Sequence, residues 1–335
     1  MTEPTLLAGW EAPLVDRYDG VLLDLDGVVQ LDEQAIPEAP QALDRLARRG
    51  VPVAFVTNNA ARTPEEVADR LRRIGIEAAT TQVVTSAVVA AELLAAEVPP
   101  GAPVLAVGGE GLRAAVESVG LRRVDSADEE PVAVIQGWGP GVAWVHLAEA
   151  CVALRAGARW VVTNDDRTLP SPRGPLPGSG ALVASLVTAT GRRPDVVVGK
   201  PGPALFAAAR DRVGGSRPLM VGDRIDTDIS GASAAGIATL LVLTGISRPR
   251  DLLAAAPEDR PTHVGLDLRA LDEGAPPVTV DADGARCGHT RVTAQGSVSA
   301  GADRLDGLRA AAALAWSGRL TPERYGVVLE QLSLD

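Results

Sequence analysis

The run Val21-Leu22-Leu23-Asp24-Leu25-Asp26-Gly27-Val28-Val29 constrains this chain more than any other stretch. It is short, rich in Val and Leu, and bounded in front by Tyr18-Asp19-Gly20. Such a run predicts a strand buried on both faces, as in parallel sheets covered by helices. Its C-terminal end then carries Asp24 and Asp26, and ligands bind at that end of an open parallel sheet. Two acidic side chains leaving a buried strand are costly unless a cation or a proton neutralises them. The rest of the chain must supply the helices, the partner strands and the remainder of an acidic site.

The alternation that such a sheet needs is present. Glu38–Arg49 places Leu43 and Leu46 amid polar residues and is closed by Gly50, which predicts an amphipathic helix. Val51–Val56 is a second apolar strand ending on Thr57-Asn58-Asn59. Thr63-Pro64-Glu65-Glu66 is a capping box with proline at the first helical position, opening a helix to Ile74. Strand, helix, strand, helix is the doubly wound pattern.

After a Pro/Gly linker at 97–103, a second alternation follows. It has strands Val104–Val107, Val132–Gln136 and Trp160–Thr163, and helices Gly111–Val119 and Val142–Ala156. Asn164–Gly180 then holds four prolines and three glycines, and a break of this length reads as a functional loop. From Asp195 the first pattern resumes, with strands Asp195–Val198, Pro218–Val221 and Ala238–Leu243 and helices ending at Val213 and Ala235. His263-Val264 and a turn at Leu268–Leu271 close it, and Pro276-Pro277 marks a boundary. Residues 278–335 read as an α+β appendage: a hairpin around Asp281-Ala282-Asp283-Gly284, a helix Leu305–Trp316 and one started by Thr321-Pro322-Glu323.

Composition narrows the functions. At 335 residues the chain is comfortable for two domains. A formal charge of −11, with no basic block interleaved with aromatics, argues against nucleic acid as a partner. No apolar run approaches the roughly 20 residues needed to span a bilayer, so no membrane partner is expected. Cys151 and Cys287 show neither ligand spacing nor a disulfide framework. With no signal peptide visible at the N-terminus, a reducing cytoplasm fits. The uncharged stretch Ala181–Ala189 offers a surface for a homodimer.

Four polar loops therefore stand at the C-terminal ends of four predicted parallel strands: Asp24/Asp26, Thr57-Asn58-Asn59, Lys200, and Asp223/Asp228. Carboxylates with no softer ligand suit Mg²⁺, a hard cation held by a few carboxylates, water and substrate phosphate. A hydroxyl, carboxamides and a lysine suit the oxygens of a phosphoryl group, and a free carboxylate beside them can attack phosphorus.

These four motifs resemble those of the haloacid-dehalogenase (HAD) superfamily of phosphohydrolases. The likeness is to the class IIA branch, 4-nitrophenylphosphatase- and phosphoglycolate phosphatase-like, with an α/β cap between the second and third motifs. Asp24-Leu25-Asp26-Gly27, Thr57-Asn58-Asn59, Gly199-Lys200-Pro201 and Gly222-Asp223-Arg224 with Asp228-Ile229 match in order and type. The resemblance covers roughly residues 16–273. It extends to the actinobacterial glycerol-3-phosphate phosphatase type, which also carries a short C-terminal region.

The resemblance implies a Rossmann-like core over 16–97 and 194–273, an α/β cap over 98–193 and the appendage 278–335. It implies Asp24 as nucleophile and Asp26 as general acid and base. The Mg²⁺ site would comprise Asp24, the Asp26 carbonyl, Asp223 as a direct ligand, and Asp228, which would order the metal's water shell or Lys200. Thr57, Asn58, Asn59 and Lys200 would hold the phosphoryl group of a small phosphorylated metabolite, and Asp166 of the cap loop would touch the substrate. One departure stands out: where the branch often has glycine, an apolar residue and aspartate, this chain has Gly137-Trp138-Gly139.

Plainer readings bound these expectations. Asp281–Gly284 repeats the Asp-x-Asp-Gly string between polar segments and reads as a hairpin turn. A calcium loop at Asp24 fails because Val28 stands where an oxygen ligand is needed. His146 and His263 read as structural.

Overall fold

The computed structural model describes residues 9–169, 171 and 173–334. They fall into two compact units, one comprising the chain up to Ala54, Ile74–Ile76 and the segment from Arg210, the other Phe55–Arg73 and Glu77–Ala209. The chain is α/β throughout, as its alternation predicts.

In the first unit the strands His263–Gly265, Ala238–Val242, Pro218–Gly222 and Gly20–Asp24 lie side by side in that order, all parallel. Every residue of Gly20–Asp24 is buried, which explains the unbroken apolar run. The strand stops at Asp24, although the run continues to Val29. Gly27 has φ +92° and turns the chain, so that the Val29 and Gln30 amides both donate to the Leu25 carbonyl. A short hairpin, Gln30–Leu31 with Gln34–Ala35, follows this turn. After Gly222 the chain makes a π-helical turn, Ile225–Ile229, before the helix Ser230–Ala234.

The appendage belongs to this unit's core. Strands Val278–Val280, Gly284–Cys287 and Thr290–Thr293 form an antiparallel sheet, with a third strand beyond the predicted hairpin. With helices Arg304–Trp316 and Pro322–Gln331 they share one apolar cluster with Ile229, Leu241, Leu252, Leu253 and Val264. Arg309, fully buried, donates to the Pro276 carbonyl at 2.7 Å and lies 5.1 Å over the Trp10 ring. Its Nη1 also sits 3.2 Å from the Sγ of Cys287, whose thiol burial pushes up to about 12. His263 is likewise enclosed, 2.6 Å from the Tyr18 hydroxyl and edge-on to Trp10.

In the second unit Val53–Thr57 runs parallel to Val83–Thr85 through Phe55–Thr57. The predicted capping box forms: the Thr63 amide donates to Glu66 Oε2 at 2.9 Å, and the Glu66 amide to Thr63 Oγ1 at 3.3 Å. Five parallel strands, Val196–Val197, Arg159–Val162, Ala133–Gln136, Pro103–Val107 and Arg122–Val124, make a separate sheet in that order. Helices Trp144–Arg155 and Ser179–Thr190 contribute Ala150, Leu154, Val183 and Leu186 to its core. The long loop after Val162 contains a two-stranded hairpin, Thr168–Leu169 with Leu176–Pro177. No helix among the described residues is long and apolar enough to cross a membrane.

Candidate active site

Three of the predicted metal ligands converge. Asp24 ends its strand, Asp223 follows the end of Pro218–Gly222, and Asp228 lies in the π-helical turn. All three are buried, and one oxygen of each lies within 4.8 Å of the others. At that separation each carboxylate pair repels by roughly 3 kcal/mol in a protein-like medium, so a cation placed among them relieves a large strain. The surrounding backbone fixes them. The Ile246 amide donates to Asp223 Oδ2 at 2.7 Å, the Ser247 amide to the Asp223 carbonyl at 3.0 Å, and the Arg224 amide to Asp228 Oδ2 at 3.1 Å.

Glycine lets the chain pass this close to Asp223. A Cβ on Gly27 would stand 2.5 Å from Asp223 Oδ2, and one on Gly245 would run into the same oxygen. The donor set is oxygen only, anionic and held in a tight glycine cradle, which fits a small hard cation such as Mg²⁺.

Asp26 has different surroundings. It lies outside the trio, its side chain is exposed, and it accepts a hydrogen bond from Gln30 Nε2 at 3.1 Å. Two carboxylates two residues apart thus have separate environments, the usual way one site obtains two roles. Gln30 and Thr244, whose hydroxyl donates to the Gly27 carbonyl at 2.5 Å, had no local signature in the sequence.

The second unit assembles the predicted phosphoryl-binding group. Lys200 follows Val196–Val197, which pairs with Arg159–Val162, so it is delivered by the five-stranded sheet. The sequence placed its strand with those of Asp24 and Asp223; so short an apolar stretch carries no information on which sheet it joins. The Lys200 amide donates to Asn58 Oδ1 at 2.8 Å, and Asn58 Nδ2 donates to the Lys200 carbonyl at 3.0 Å and to Asp166 Oδ2 at 3.1 Å. Lys200 Nζ, buried, donates to the Val56 carbonyl at 3.2 Å.

Thr57 Oγ1 accepts from the Asn59 amide at 3.1 Å, and Asn59 Oδ1 from the Ala61 amide at 2.9 Å. Asn164 and Ser86, which sequence reasoning passed over, both donate to the Asn58 carbonyl, at 2.7 and 2.8 Å. Asn58, Asp166 and Lys200 are therefore one connected cluster, with Thr57 and Asn59 shaping the adjoining loop.

Comparison with known proteins shows the family to which the chain belongs. Residues 21–122 match the family described as haloacid dehalogenase-like hydrolase, and residues 197–271 a HAD-hydrolase-like family. The D-glycerol 3-phosphate phosphatase of Mycobacterium tuberculosis is 44% identical over 317 residues, covering 91% of this chain and 88% of that one. The chain is a haloacid dehalogenase-like hydrolase. A crystal structure of the M. tuberculosis glycerol phosphate phosphatase in complex with magnesium superposes on this hydrolase with a TM-score of 0.84 and 42% identity. It covers 97% of this chain and 100% of that one. An acid sugar phosphatase of Staphylococcus haemolyticus is 38% identical to this hydrolase over 254 residues, 75% of this chain and 94% of that one.

Proposed function

We propose that the hydrolase is a Mg²⁺-dependent phosphomonoester phosphatase working through an aspartyl-phosphate. Its first-choice substrate is glycerol 3-phosphate, with 2-phosphoglycolate and sugar or nucleotide phosphates next. The observation that carries the reading is the buried Asp24, Asp223 and Asp228 trio with Asp26 set apart from it. Asp24, Asp223, Asp228 and the Asp26 carbonyl would hold the Mg²⁺. The ion supplies positive charge that offsets the carboxylates and the phosphate.

Asp24 attacks phosphorus and the ester P–O bond breaks, while Asp26 gives its proton to the leaving alkoxide. Asp26 then takes a proton from water, whose oxygen attacks phosphorus, releasing inorganic phosphate and restoring Asp24. Thr57 and Lys200 hold the phosphoryl oxygens, Asn58 and Asp166 keep Lys200 in register, and Asn59 shapes the loop. In this reading 16–97 and 194–273 supply the catalytic core, with Val196–Val197 pairing in the five-stranded sheet, 98–193 is a cap that selects substrate, and the enzyme works in the cytoplasm.

Phosphate release from a panel of small phosphomonoesters, with and without EDTA, tests the proposal. Wild-type activity should vanish with EDTA and fall at least about a thousandfold in Asp24→Asn, the scale of losing a covalent nucleophile. Activity surviving both treatments would rule the mechanism out. A phosphorylated alcohol appearing in place of inorganic phosphate would make the enzyme a phosphotransferase.

A further inference from the structure

The Gly137-Trp138-Gly139 departure has a place in the second unit. A Cβ on Gly139 would run into the main chain of Gly108 and Gly109, so no aspartate fits there. The Gly109 amide donates to the Trp138 carbonyl at 3.2 Å, and the Gly111 amide to the Ala61 carbonyl at 3.0 Å. These bonds draw together three loops: the one after Thr57, the one after Val107 and the one after Gln136. Between them and the helix Pro64–Arg73 lies a cleft of about 480 Å³ lined by residues that include Asn59, Arg62, Glu66, Asp69, Arg73, Glu110 and Trp138. Its volume falls within the range of small-molecule sites.

The chemistry of this lining is selective. Glu66 is engaged by the Thr63 amide and Asp69 by Arg72. Arg62, by contrast, carries no ion pair or side-chain hydrogen bond among the described residues. An anionic ligand would meet three carboxylates here, and an apolar one would desolvate charges without pairing them. Hydroxyl groups both donate and accept, so they suit a mixture of guanidinium, carboxylate and carboxamide, and the C–H face of a polyol suits the Trp138 indole.

We infer that this cleft seats the hydroxylated organic part of the substrate, a polyol or sugar, with Trp138 and Arg62 setting the preference. The assignment rests on the phosphatase reading above: Asn59, which borders the cleft, is bonded through its amide to Thr57, the residue that holds the phosphoryl group in that reading.

The test compares kcat/KM for glycerol 3-phosphate, a hexose 6-phosphate and ethyl phosphate, which lacks hydroxyls. Each is measured in the Mg²⁺-loaded wild type, in Trp138→Ala and in Arg62→Gln. The wild type should favour the hydroxylated esters by about tenfold or more, and each variant should lower that preference by about tenfold through KM, the scale of one lost polar contact. The preference is a ratio within one preparation, so any unfolded fraction cancels. A wild type without preference, or ratios unchanged in both variants, overturns the assignment and leaves the phosphatase reading standing. A wild type that cleaves none of the three overturns both.

Discussion

Asn58 grips Lys200 with both ends of one carboxamide: Oδ1 accepts from the Lys200 amide at 2.8 Å and Nδ2 donates to its carbonyl at 3.0 Å. These residues are 142 positions apart, and the same Nδ2 reaches Asp166 at 3.1 Å. Asn58→Ala removes all three bonds and keeps the Lys200 side chain itself. It should lower kcat/KM on glycerol 3-phosphate by about a hundredfold, the effect of misplacing a catalytic group by about 1 Å. A loss below about threefold would show that the Lys200 loop holds its position unaided.

Asp24, Asp223 and Asp228 bring three carboxylates within 4.8 Å of one another, like charge that a cation among them would offset. Asp228→Asn should therefore make the metal-free protein more stable, by about 1–2 kcal/mol or a few degrees in Tm. The same substitution should shrink the rise in Tm that Mg²⁺ produces in the wild type. Thermal unfolding in EDTA and in Mg²⁺ measures both. An apo variant that melts earlier than wild type would contradict the repulsion.

His263 supplies a pH dependence whose sign is fixed by burial. Desolvation, with Arg17 and Arg309 nearby, pushes its pKa down from 6.5 to about 3. The unfolded chain takes up this proton near pH 6.5 and the folded one only near pH 3. The stability contributed by the neutral ring is thus present above about pH 6.5 and is lost as pH falls, by about 1.4 kcal/mol per unit. His263→Gln should be less stable than wild type at neutral pH, yet decline less steeply between about pH 6 and pH 4. Denaturant unfolding at several pH values reads the slopes, and parallel slopes would remove His263 from the account.

The appendage is predicted to be inseparable from the first unit. Removing 278–335 would uncover Leu241, Leu252, Leu253 and Val264, which share a cluster with Leu308, Leu314, Val328 and Leu329. At roughly 2 kcal/mol per large buried side chain, the deletion should exceed the stability of a typical domain. The truncated chain is expected to be insoluble or to melt without cooperativity. A soluble product with the full-length Tm would show that the first unit stands without it.

Much of this architecture was readable in the chain because burial writes itself into the pattern. The strand leading to Asp24, the Thr63 capping box and the strand leading to Asp223 each carry a local signal, and each is present, the first ending at Asp24. The helix Ser86–Glu97 escaped because it is apolar almost all round and has no stripe to detect. Thr244 on Gly27 and Ile246 on Asp223 escaped for another reason: each bond joins one side chain to loop backbone, across 217 and 23 residues. Where Lys200 joins the fold depended on strand pairing, which two valines cannot specify.

The enclosure of Cys287 beside Arg309 gives the molecule an experimental handle. With its thiol at about 12 and no access to solvent, it stays protonated and out of reach of electrophiles at neutral pH. Cys151, on the helix Trp144–Arg155, is partly accessible. A maleimide dye added to the native enzyme would attach there alone, and fluorescence from that single position could follow substrate binding without engineering the chain.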